Sequence, residues 1–439
     1  MDDSDHGRRS TDRRETPAGG DASSRTRRRF IATGLTGLAG TALGVGSAAG
    51  RKRVGDAVVA AAGGGDYQSI TAAIDDASPG DVLCVYPGEY EGTVVVDVPQ
   101  LSLLSMVPGG ATIRDGWAAA SPALTVAADG VRVQGFRVTH PDGRLGISVD
   151  GGLSNVTVAL NYVTGIGPYQ TPGATGINVG TPQTGLSIVE NVVENVSSVL
   201  GEGTSYPVSE GITLNAAPDT GDDVETTAEA APAAQQTAAL TDSVVRDNVV
   251  RWLTSEYACR GIALAADAAR LDVRHNDLFG IEATNERDEP RTYAWGFHAG
   301  GRSDAVRFQE NVVDDVRAST YVGTGVMVRG RPDGLTVTEN DLTTTLGVQN
   351  ETTTALAATL NWWGHRNGPR SVPSNQSADD GSRLDGQGAY VGPVRIEPWL
   401  TGTVQTNDGE TNWYVDGRLS ETTLDEQSEP EQFRFPTLQ

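Results

Sequence analysis

The sequence predicts an all-β protein built as a solenoid, a parallel β-helix, and three observations support this fold class. A glycine-led strand recurs about every thirty residues, and an asparagine follows each glycine at a constant distance. The stretches between them alternate β-branched and polar residues over strand lengths, with Gly, Asn and Asp at the turns. Helical spacing is absent from these repeats. Stacking is expected because one unit cannot bury its apolar face alone.

The repeat is best seen as two aligned columns. The glycines are Gly146, Gly176, Gly261, Gly296 and Gly325, and the asparagines are Asn161, Asn191, Asn276, Asn311 and Asn340. A sixth copy runs from Gly211 to Asn248 and is lengthened by a low-complexity insertion at 216–239. If each coil lies on the one before it at about 4.8 Å, the asparagine amides should hydrogen-bond in a ladder inside a turn.

The N-terminal segment, residues 1–56, is predicted to be a leader and not part of the solenoid. It is polar and charged up to Thr26-Arg27-Arg28-Arg29-Phe30-Ile31, and a glycine-rich, weakly apolar run follows. This arrangement resembles a twin-arginine export signal. The alternative is a chance arginine cluster before a membrane anchor, although the run is too rich in glycine for a good spanning helix.

A short amphipathic helix should begin the folded part. Asp66 is the expected N-cap, the apolar positions Ile70, Ala73, Ile74 and Ala77 have helical spacing, and Pro79-Gly80 should end the helix. An exposed first coil needs a cover, so the helix is predicted to cap the N-terminal end of the solenoid.

Four short motifs in this region carry a family resemblance. They are Tyr67-Gln68-Ser69-Ile70, Ala72-Ala73-Ile74, Gly80-Asp81 and Tyr86-Pro87-Gly88-Glu89-Tyr90. Together they resemble the opening of the pectin lyase-like right-handed β-helix superfamily, especially pectin methylesterases and NosD-type proteins. The later Gly-Ile and Asn repeats are similar to the carbohydrate-binding and sugar-hydrolase repeats of the NosD-like branch. The resemblance implies a right-handed parallel β-helix over residues 64–400, and many functions share this scaffold.

Charge limits the range of partners. The formal net charge is −24, and Lys52 is the only lysine. An acidic surface without lysine is typical of proteins adapted to high salt; a surface that binds Ca²⁺ or a cationic partner is the alternative. Nucleic acid is not expected as a partner, because phosphate binding needs basic patches. The cysteines, Cys84 and Cys259, lie in apolar contexts and are predicted to be buried free thiols.

Candidate chemistry lies on one outward face. In Gly-Ile-x-Val the x position should face solvent, which gives a row that holds no carboxylate. That row is Ser148, Asn178, Thr213, Ala263, His298 and Met327. The loops that enter these strands are predicted to be richer, and they also include Asp288. The candidates there for substrate binding are Tyr206, Glu256, Tyr257, Arg291, Tyr293 and Trp295.

Glu210, Arg260 and His298 are the candidate catalytic residues. Aromatic rings stack on sugars, arginine can hold a uronate carboxylate, and a Glu near a His could move a proton. The alternative is structural: Tyr257 and Trp295 fill coil edges, while Glu210 and Arg260 pair between neighbouring coils. An enzyme of this type would be a polysaccharide lyase or resemble a glycoside hydrolase. No cluster has metal-ligand spacing and no cofactor is evident, but Ca²⁺ binding remains open.

Near the C-terminus, the segment Asn361 to Pro369 contains Trp362 and Trp363. Two interpretations compete: a tryptophan plug that closes the last coil, or an exposed platform that stacks on sugars. Residues 401–439 form an acidic tail that is expected to be partly disordered.

These observations lead to one principal hypothesis and one alternative. The principal one is an exported, halophilic-type β-helix protein, extracellular or at the cell surface, that binds an extracellular polysaccharide or cell-surface glycan and could process it. We expect a monomer without a membrane anchor in the mature chain. The alternative is a non-catalytic structural or adhesive protein of the cell envelope.

Overall fold

A computed structural model describes residues 55–115, 119–170, 172–201, 206–215, 240–285, 291–372 and 388–404. Four sequence predictions lie wholly or mainly outside these residues: the export signal, the insertion at 216–239, Asp288 and the acidic tail. Among the described residues, no helix is long and apolar enough to cross a membrane.

The described chain winds repeatedly through three parallel sheets, which we number 1, 2 and 3 in the order in which each coil visits them. Sheet 1 contains Ala57–Val59, Val82–Val85, Ser102–Ser105, Arg132–Gln134, Leu153–Ser154, Thr157–Ala159, Gln183–Thr184, Ser187–Val189, Leu240–Arg246, Ala268–Arg274, Ser303–Gln309, Leu335–Thr338, Leu356–Ala357 and Val394–Arg395. Sheet 2 contains Gly88–Glu91, Ala111–Arg114, Arg137–Pro141, Tyr162–Tyr169, Val192–Ser198, Val249–Ser255, Asp277–Ala283, Val312–Ala318 and Asp341–Leu342. Sheet 3 contains Val94–Val96, Pro122–Val126, Leu145–Val149, Gly173–Val179, Val208–Leu214, Ala258–Leu264, Tyr293–Ala299, Thr324–Val328, Leu346–Asn350, Arg370–Ser371 and Ala389–Val391.

Each strand pairs with the equivalent strand of the coils before and after it. For example, Ile262 aligns with Ile212 on one side and with Phe297 on the other. Their side chains point inward into one apolar core that extends along the stack of coils. Crossovers between parallel strands are right-handed as a rule. The predicted fold class, a right-handed parallel β-helix, is therefore confirmed.

The predicted asparagine ladder is present inside the turn between sheets 1 and 2. Each Nδ2 donates to the Oδ1 of the next asparagine at 2.9–3.1 Å, and each backbone N–H donates to the same oxygen. The members are Asn161, Asn191, Asn248, Asn276, Asn311, Asn340 and Asn361. Asn361 was not predicted as a member, because it follows Asn340 by 21 residues and has no glycine-led strand fifteen residues before it.

The repeated glycine is required by close packing between coils. A Cβ on Gly261 would lie 2.5 Å from the carbonyl oxygen of Gly296 and 2.8 Å from Cδ1 of Ile281 in the core. Neither neighbour can move freely, because one is backbone and the other is a buried side chain. The glycine column therefore sets how closely successive coils of sheet 3 approach the facing sheet.

The predicted capping helix is Ile70–Asp75, and it buries Ile70, Ala73 and Ile74 against the start of the core. The predicted N-cap was wrong. Ser69 is the N-cap, since its side chain accepts a hydrogen bond from the Ala72 amide. Asp66 lies three residues too early and accepts a hydrogen bond from the backbone amide of Val58 in the first strand.

Two smaller predictions concern buried side chains. Cys84 and Cys259 are buried thiols that form no disulfide, as predicted. Trp363 is fully buried in the core and packs on Gly347, which agrees with the plug interpretation. Trp362 extends the edge of sheet 2 instead, because it bridges to Asp341 and its backbone bonds to Asn340 and Leu342.

Candidate functional site

The outer face of sheet 3 carries the predicted outward row. Ser148 aligns with Asn178, Asn178 with Thr213, Thr213 with Ala263, Ala263 with His298, and His298 with Met327. This register confirms the alignment of the predicted row. The prediction that the row faces solvent was wrong for five of its six members, which are buried beneath neighbouring chain, and only Asn178 is half-buried. The Asn178 amide donates to Ser148 Oγ at 3.4 Å, so neighbouring members of the row contact each other directly.

A second outward row lies three residues earlier in the same strands. Glu210 aligns with Arg260, and Arg260 aligns with Trp295. The two rows share one face because Gly211, Gly261 and Gly296 interrupt the alternation: a Cβ at each of these glycines would point into the core. The sequence pattern therefore places a carboxylate, a guanidinium and an indole beside the outward row.

Glu210 and Arg260 form a buried ion pair. Arg260 Nη1 donates to Glu210 Oε1 at 2.9 Å, and Thr213 Oγ1 donates to Glu210 Oε2 at 2.6 Å. The Arg260 guanidinium carbon also lies 5.5 Å from the centre of the Trp295 ring. A carboxylate that keeps an arginine charged and oriented is a common way to prepare it for binding an anion.

His298 lies next to Arg260, and its ring is unusual because it is buried without hydrogen bonds among the described residues. Its ring stacks on Trp295 with 4.9 Å between ring centres, and the residue is only 8% exposed. Within the described part of the chain, neither ring nitrogen has a hydrogen-bond partner. Burial, together with the positive charges of Arg260 and Arg329, lowers the pKa of His298 well below 6.5. At neutral pH it is therefore an uncharged imidazole with one donor and one acceptor to offer.

Arg329 was missed by sequence reasoning and completes the cluster. Its guanidinium carbon lies 4.9 Å from the centre of the Trp295 ring, and its Nε donates to Glu351 Oε2 at 2.8 Å. Arg329 immediately follows the strand that holds Met327, one coil beyond His298. Arg329 lies just past the end of its strand, whereas the predicted row contains only positions within the Gly-Ile-x-Val repeats.

Tyrosines line the side where the chain enters sheet 3. Tyr206 and Tyr257 stack at 4.5 Å, Tyr257 meets Tyr293 edge-on at 5.7 Å, and Tyr293 lies 5.1 Å from Tyr321. Arg291 extends over Tyr321 at 5.7 Å. Tyr321 was also missed, although a tyrosine three to five residues before each of four successive repeat glycines is visible in the sequence.

The candidate substrate-binding residues differ in their access to solvent. Tyr206 and Arg291 are exposed and Tyr293 is half-buried, so these three can meet a ligand. Tyr257 and Trp295 are buried, and the edge-filling interpretation describes them better than direct stacking on a sugar. Glu256 Oε2 accepts from the backbone amide of Leu200 at 2.8 Å, which gives it a role in holding the preceding loop.

Glu210, Arg260 and Trp295 lie within strands and not in the entering loops where they were predicted. Arg260 and His298 both lie against Trp295, and Glu210 is joined to them through Arg260. Among the residues placed by the structure, no group of three or more His, Cys, Asp or Glu side chains is arranged to hold a metal ion. What the cluster offers is a held cation, a second cation, and a neutral imidazole with unpaired nitrogens. The cations suit an anionic ligand, and the imidazole suits a hydroxyl group or an acidic C–H group of that ligand.

No protein-family model matches the chain, and no curated protein matches it in sequence. Among solved structures, it is similar to an alginate lyase from Paenibacillus at 14% identity, over 74% of this chain and 96% of that one, with a TM-score of 0.44. It is also similar to a pectate lyase at 12% identity, over 76% and 73% of the two chains, with a TM-score of 0.40. A pectin methylesterase from Aspergillus niger gives 12% identity, 82% and 95% coverage, and a TM-score of 0.30. Such distant likeness does not identify an activity.

Proposed function

We propose that the outer face of sheet 3 binds a uronate-containing polysaccharide and processes it. The observation that carries this proposal is His298, a buried neutral imidazole beside Arg260 and Arg329 whose two ring nitrogens have no hydrogen-bond partner in the part of the chain that the structure describes. A buried polar group without a partner costs free energy, so its presence in a charged cluster calls for a ligand or a chemical role.

The cluster suits β-elimination in particular. Arg260 and Arg329, each already paired with a glutamate, would donate hydrogen bonds to the uronate carboxylate, which makes the C5 proton more acidic. Both ring nitrogens of His298 are buried, so the side chains that cover them would have to move aside when the polymer binds. His298 would then accept the C5 proton, the C4–O bond would break to leave a C4=C5 double bond, and the departing oxygen would take a proton. The exposed Tyr206 and half-buried Tyr293 would position neighbouring sugars at the edge of the face.

Hydrolysis fits the described residues less well. Hydrolysis of a glycosidic bond generally needs two carboxyl groups that flank the bond, one as acid and one as base or nucleophile. The described carboxylates near the cluster, Glu210 and Glu351, are each ion-paired with an arginine. Elimination needs a base and cations instead, which are the groups that this face presents.

The proposed mechanism does not use Ca²⁺. Ca²⁺ takes six to eight oxygen ligands. The described cluster offers two carboxylates: Glu210, which already bonds to Arg260 and Thr213, and Glu351, which already bonds to Arg329. Because this donor set does not fit a Ca²⁺ site, no step is assigned to the ion, and activity should be measured both with Ca²⁺ and with a chelator.

The test compares the wild-type chain with His298→Gln and with Asn178→Ala as a control on the same face. Polyuronates and neutral glucans are supplied at molar salt, and products are followed by the absorbance of unsaturated uronate and by reducing ends. We expect elimination by the wild type and by Asn178→Ala, and loss of turnover in His298→Gln with binding retained. Reducing ends without unsaturated product, or full activity of His298→Gln, would contradict the mechanism.

A non-catalytic envelope protein is the second candidate, and it is favoured by the burial of Tyr257 and Trp295. In that case the cluster would be structural. It predicts no turnover of any polymer and equal glycan binding by wild type, His298→Gln and Tyr206→Ala. Loss of binding in Tyr206→Ala alone would rule this candidate out.

We also propose export through the twin-arginine pathway to a high-salt exterior, with the chain acting as a monomer. The support is the run Arg27-Arg28-Arg29-Phe30-Ile31 and the acidic composition without lysine beyond Lys52. Replacing Arg27 and Arg28 together by lysine should abolish export of the full chain. Sedimentation of the exported protein at molar salt tests the monomer, and unfolding at low salt tests the salt adaptation.

A further inference from the structure

A different outer face, that of sheet 2, carries an exposed tryptophan in an unusual backbone conformation. Trp252 is 41% exposed, and its φ angle is +55°. Bulky L-residues rarely adopt positive φ, because the Cβ crowds the backbone. A strained and exposed aromatic residue points to a function more often than to packing.

The neighbouring coils show what this position normally holds. The residues in register with Trp252 also have positive φ, so every one of these coils has the same local bend. They are Gly165, Asn195, Gly280 and Asp315. Gly, Asn and Asp take this conformation readily, whereas Trp does not. The backbone therefore does not require tryptophan, and a more favourable residue was available at this position.

The indole is held in place from the next coil and from its own strand. A Cβ added to Gly280 would lie 2.9 Å from Trp252 Cδ1, so the ring packs closely on that glycine. The Arg251 guanidinium carbon lies 4.2 Å from the centre of the ring. Arg251 Nε donates to Glu194 Oε2 at 2.7 Å, and Glu194 is buried and also accepts from Asn195.

The same face continues along the axis of the solenoid. Phe279 lies 6.0 Å from the Arg251 guanidinium carbon. Tyr162 bonds through its hydroxyl to Glu194, and Arg137 lies over the Tyr162 ring at 5.3 Å. We call Arg137, Tyr162, Arg251, Trp252 and Phe279 the aromatic platform. It pairs aromatic rings with arginines in a chain whose formal charge is −24.

We propose that the aromatic platform is a second binding site for a uronate-containing polysaccharide. A sugar ring would stack on the exposed part of the Trp252 indole. Its carboxylate would bond to the two terminal amino groups of Arg251, because within the described residues the hydrogen bond of this guanidinium is made by Nε. Arg137 lies three coils away, roughly 14 Å along the axis, so a polymer rather than a single sugar fits the platform. The site shares its ligand class with the proposed function but none of its residues.

The positive φ angle of Trp252 allows a substitution that removes the indole without disturbing the backbone. Trp252→Asn places at this position the residue that its neighbour Asn195 already has, so we expect the fold to be kept and the melting temperature not to fall. Affinity for polygalacturonate should fall roughly tenfold, since an aromatic stacking contact is lost. The parent protein and the Trp252→Asn variant both also carry Tyr206→Ala, which weakens the sheet 3 site. Affinity electrophoresis at molar salt compares their binding to polygalacturonate and to neutral dextran.

Tyr86→Ala is the matched control, because Tyr86 is an exposed aromatic residue outside the platform. It should bind polygalacturonate like the parent. Gly280→Ala tests the seat of the indole and should weaken binding as well, because its methyl group would displace the ring.

Unchanged affinity of Trp252→Asn, an equal loss in Tyr86→Ala, or equal retardation by dextran would overturn the inference. So would a dimer that sediments only when Trp252 is present, since a second copy would then cover the face. The two proposals fail separately: His298→Gln tests turnover, and Trp252→Asn tests the platform whether or not turnover is found.

Discussion

Replacing Asn276 by alanine should destabilise the protein strongly, because Asn276 is an interior member of the ladder. Its Nδ2 donates to the carbonyl oxygens of Val245 and Arg274 and to Asn311 Oδ1, at 2.9–3.0 Å. Its Oδ1 accepts from the backbone N–H and the Nδ2 of Asn248, both at 3.0 Å. Alanine removes all five bonds and leaves the buried Asn248 N–H without an acceptor.

The magnitude follows from these losses. An orphaned buried donor costs about 1–3 kcal/mol, and each remaining bond contributes about 0.5–1.5 kcal/mol net, part of which relaxation recovers. We therefore expect the free energy of unfolding to fall by about 3–5 kcal/mol, near the upper end for one substitution. Asn178→Ala is the control, because that half-buried amide makes a single long bond to Ser148 and its loss should cost less than about 1 kcal/mol.

The assay is denaturant unfolding of both variants in the same molar salt, with amide hydrogen exchange to locate the effect. Because contacts in a solenoid are mainly between neighbouring coils, protection should fall first in the coils that contain Asn248 and Asn311. If Asn276→Ala costs no more than Asn178→Ala, the buried amide ladder does not stabilise the stack and the reasoning is wrong.

Three further predictions concern buried groups. Glu210→Leu should cost about 3–5 kcal/mol by stranding Arg260, and the double variant with Arg260→Leu should cost less; thermal unfolding of all three proteins decides, and equal losses would deny the coupling. The pKa of His298 lies below 6.5 in the folded state, so its contribution to stability is complete above about pH 6.5 and is lost as the pH falls. His298→Gln should therefore lose less stability on acidification, and parallel pH profiles would refute this. Burial raises the pKa of the Cys259 thiol, so Cys259 should resist alkylation until denaturant is added.

Much of the fold could be predicted because the pattern repeats. The glycine column and the asparagine column predicted a parallel β-helix, the ladder and the outward row that ends at Met327, since each depends on residues at fixed spacing within one coil. The ladder member Asn361 broke the spacing and was missed. The last coils are shorter and irregular, so the distance along the chain from Asn340 to the next ladder position changes. Asn361 joins the ladder because it lies next to Asn340 in space.

The candidate site was predicted in part for the same reason. Glu210, Arg260 and His298 lie in strands whose register the repeat defines, so their proximity was foreseeable. Sequence could not separate exposed from buried aromatics: Tyr206 and Tyr257 lie five and four residues before their repeat glycines, yet only Tyr206 is exposed. Stacking between neighbouring coils decides which ring is covered, and no local pattern records it.

The sequence by itself determined the solenoid, its capping helix, its buried thiols and the face on which charged residues gather, because all of these follow from local periodicity and composition. The pairing of Glu210 with Arg260 was foreseen as one of two alternatives, and the structure shows it. Only the tertiary structure decided that both His298 nitrogens lack a partner among the described residues, and that Trp252 occupies a positive-φ position where neighbouring coils have Gly, Asn or Asp. The physical reason is that hydrogen-bond partners, burial and the neighbours of a positive-φ residue come from adjacent coils, which lie close in space but about thirty residues apart in the chain.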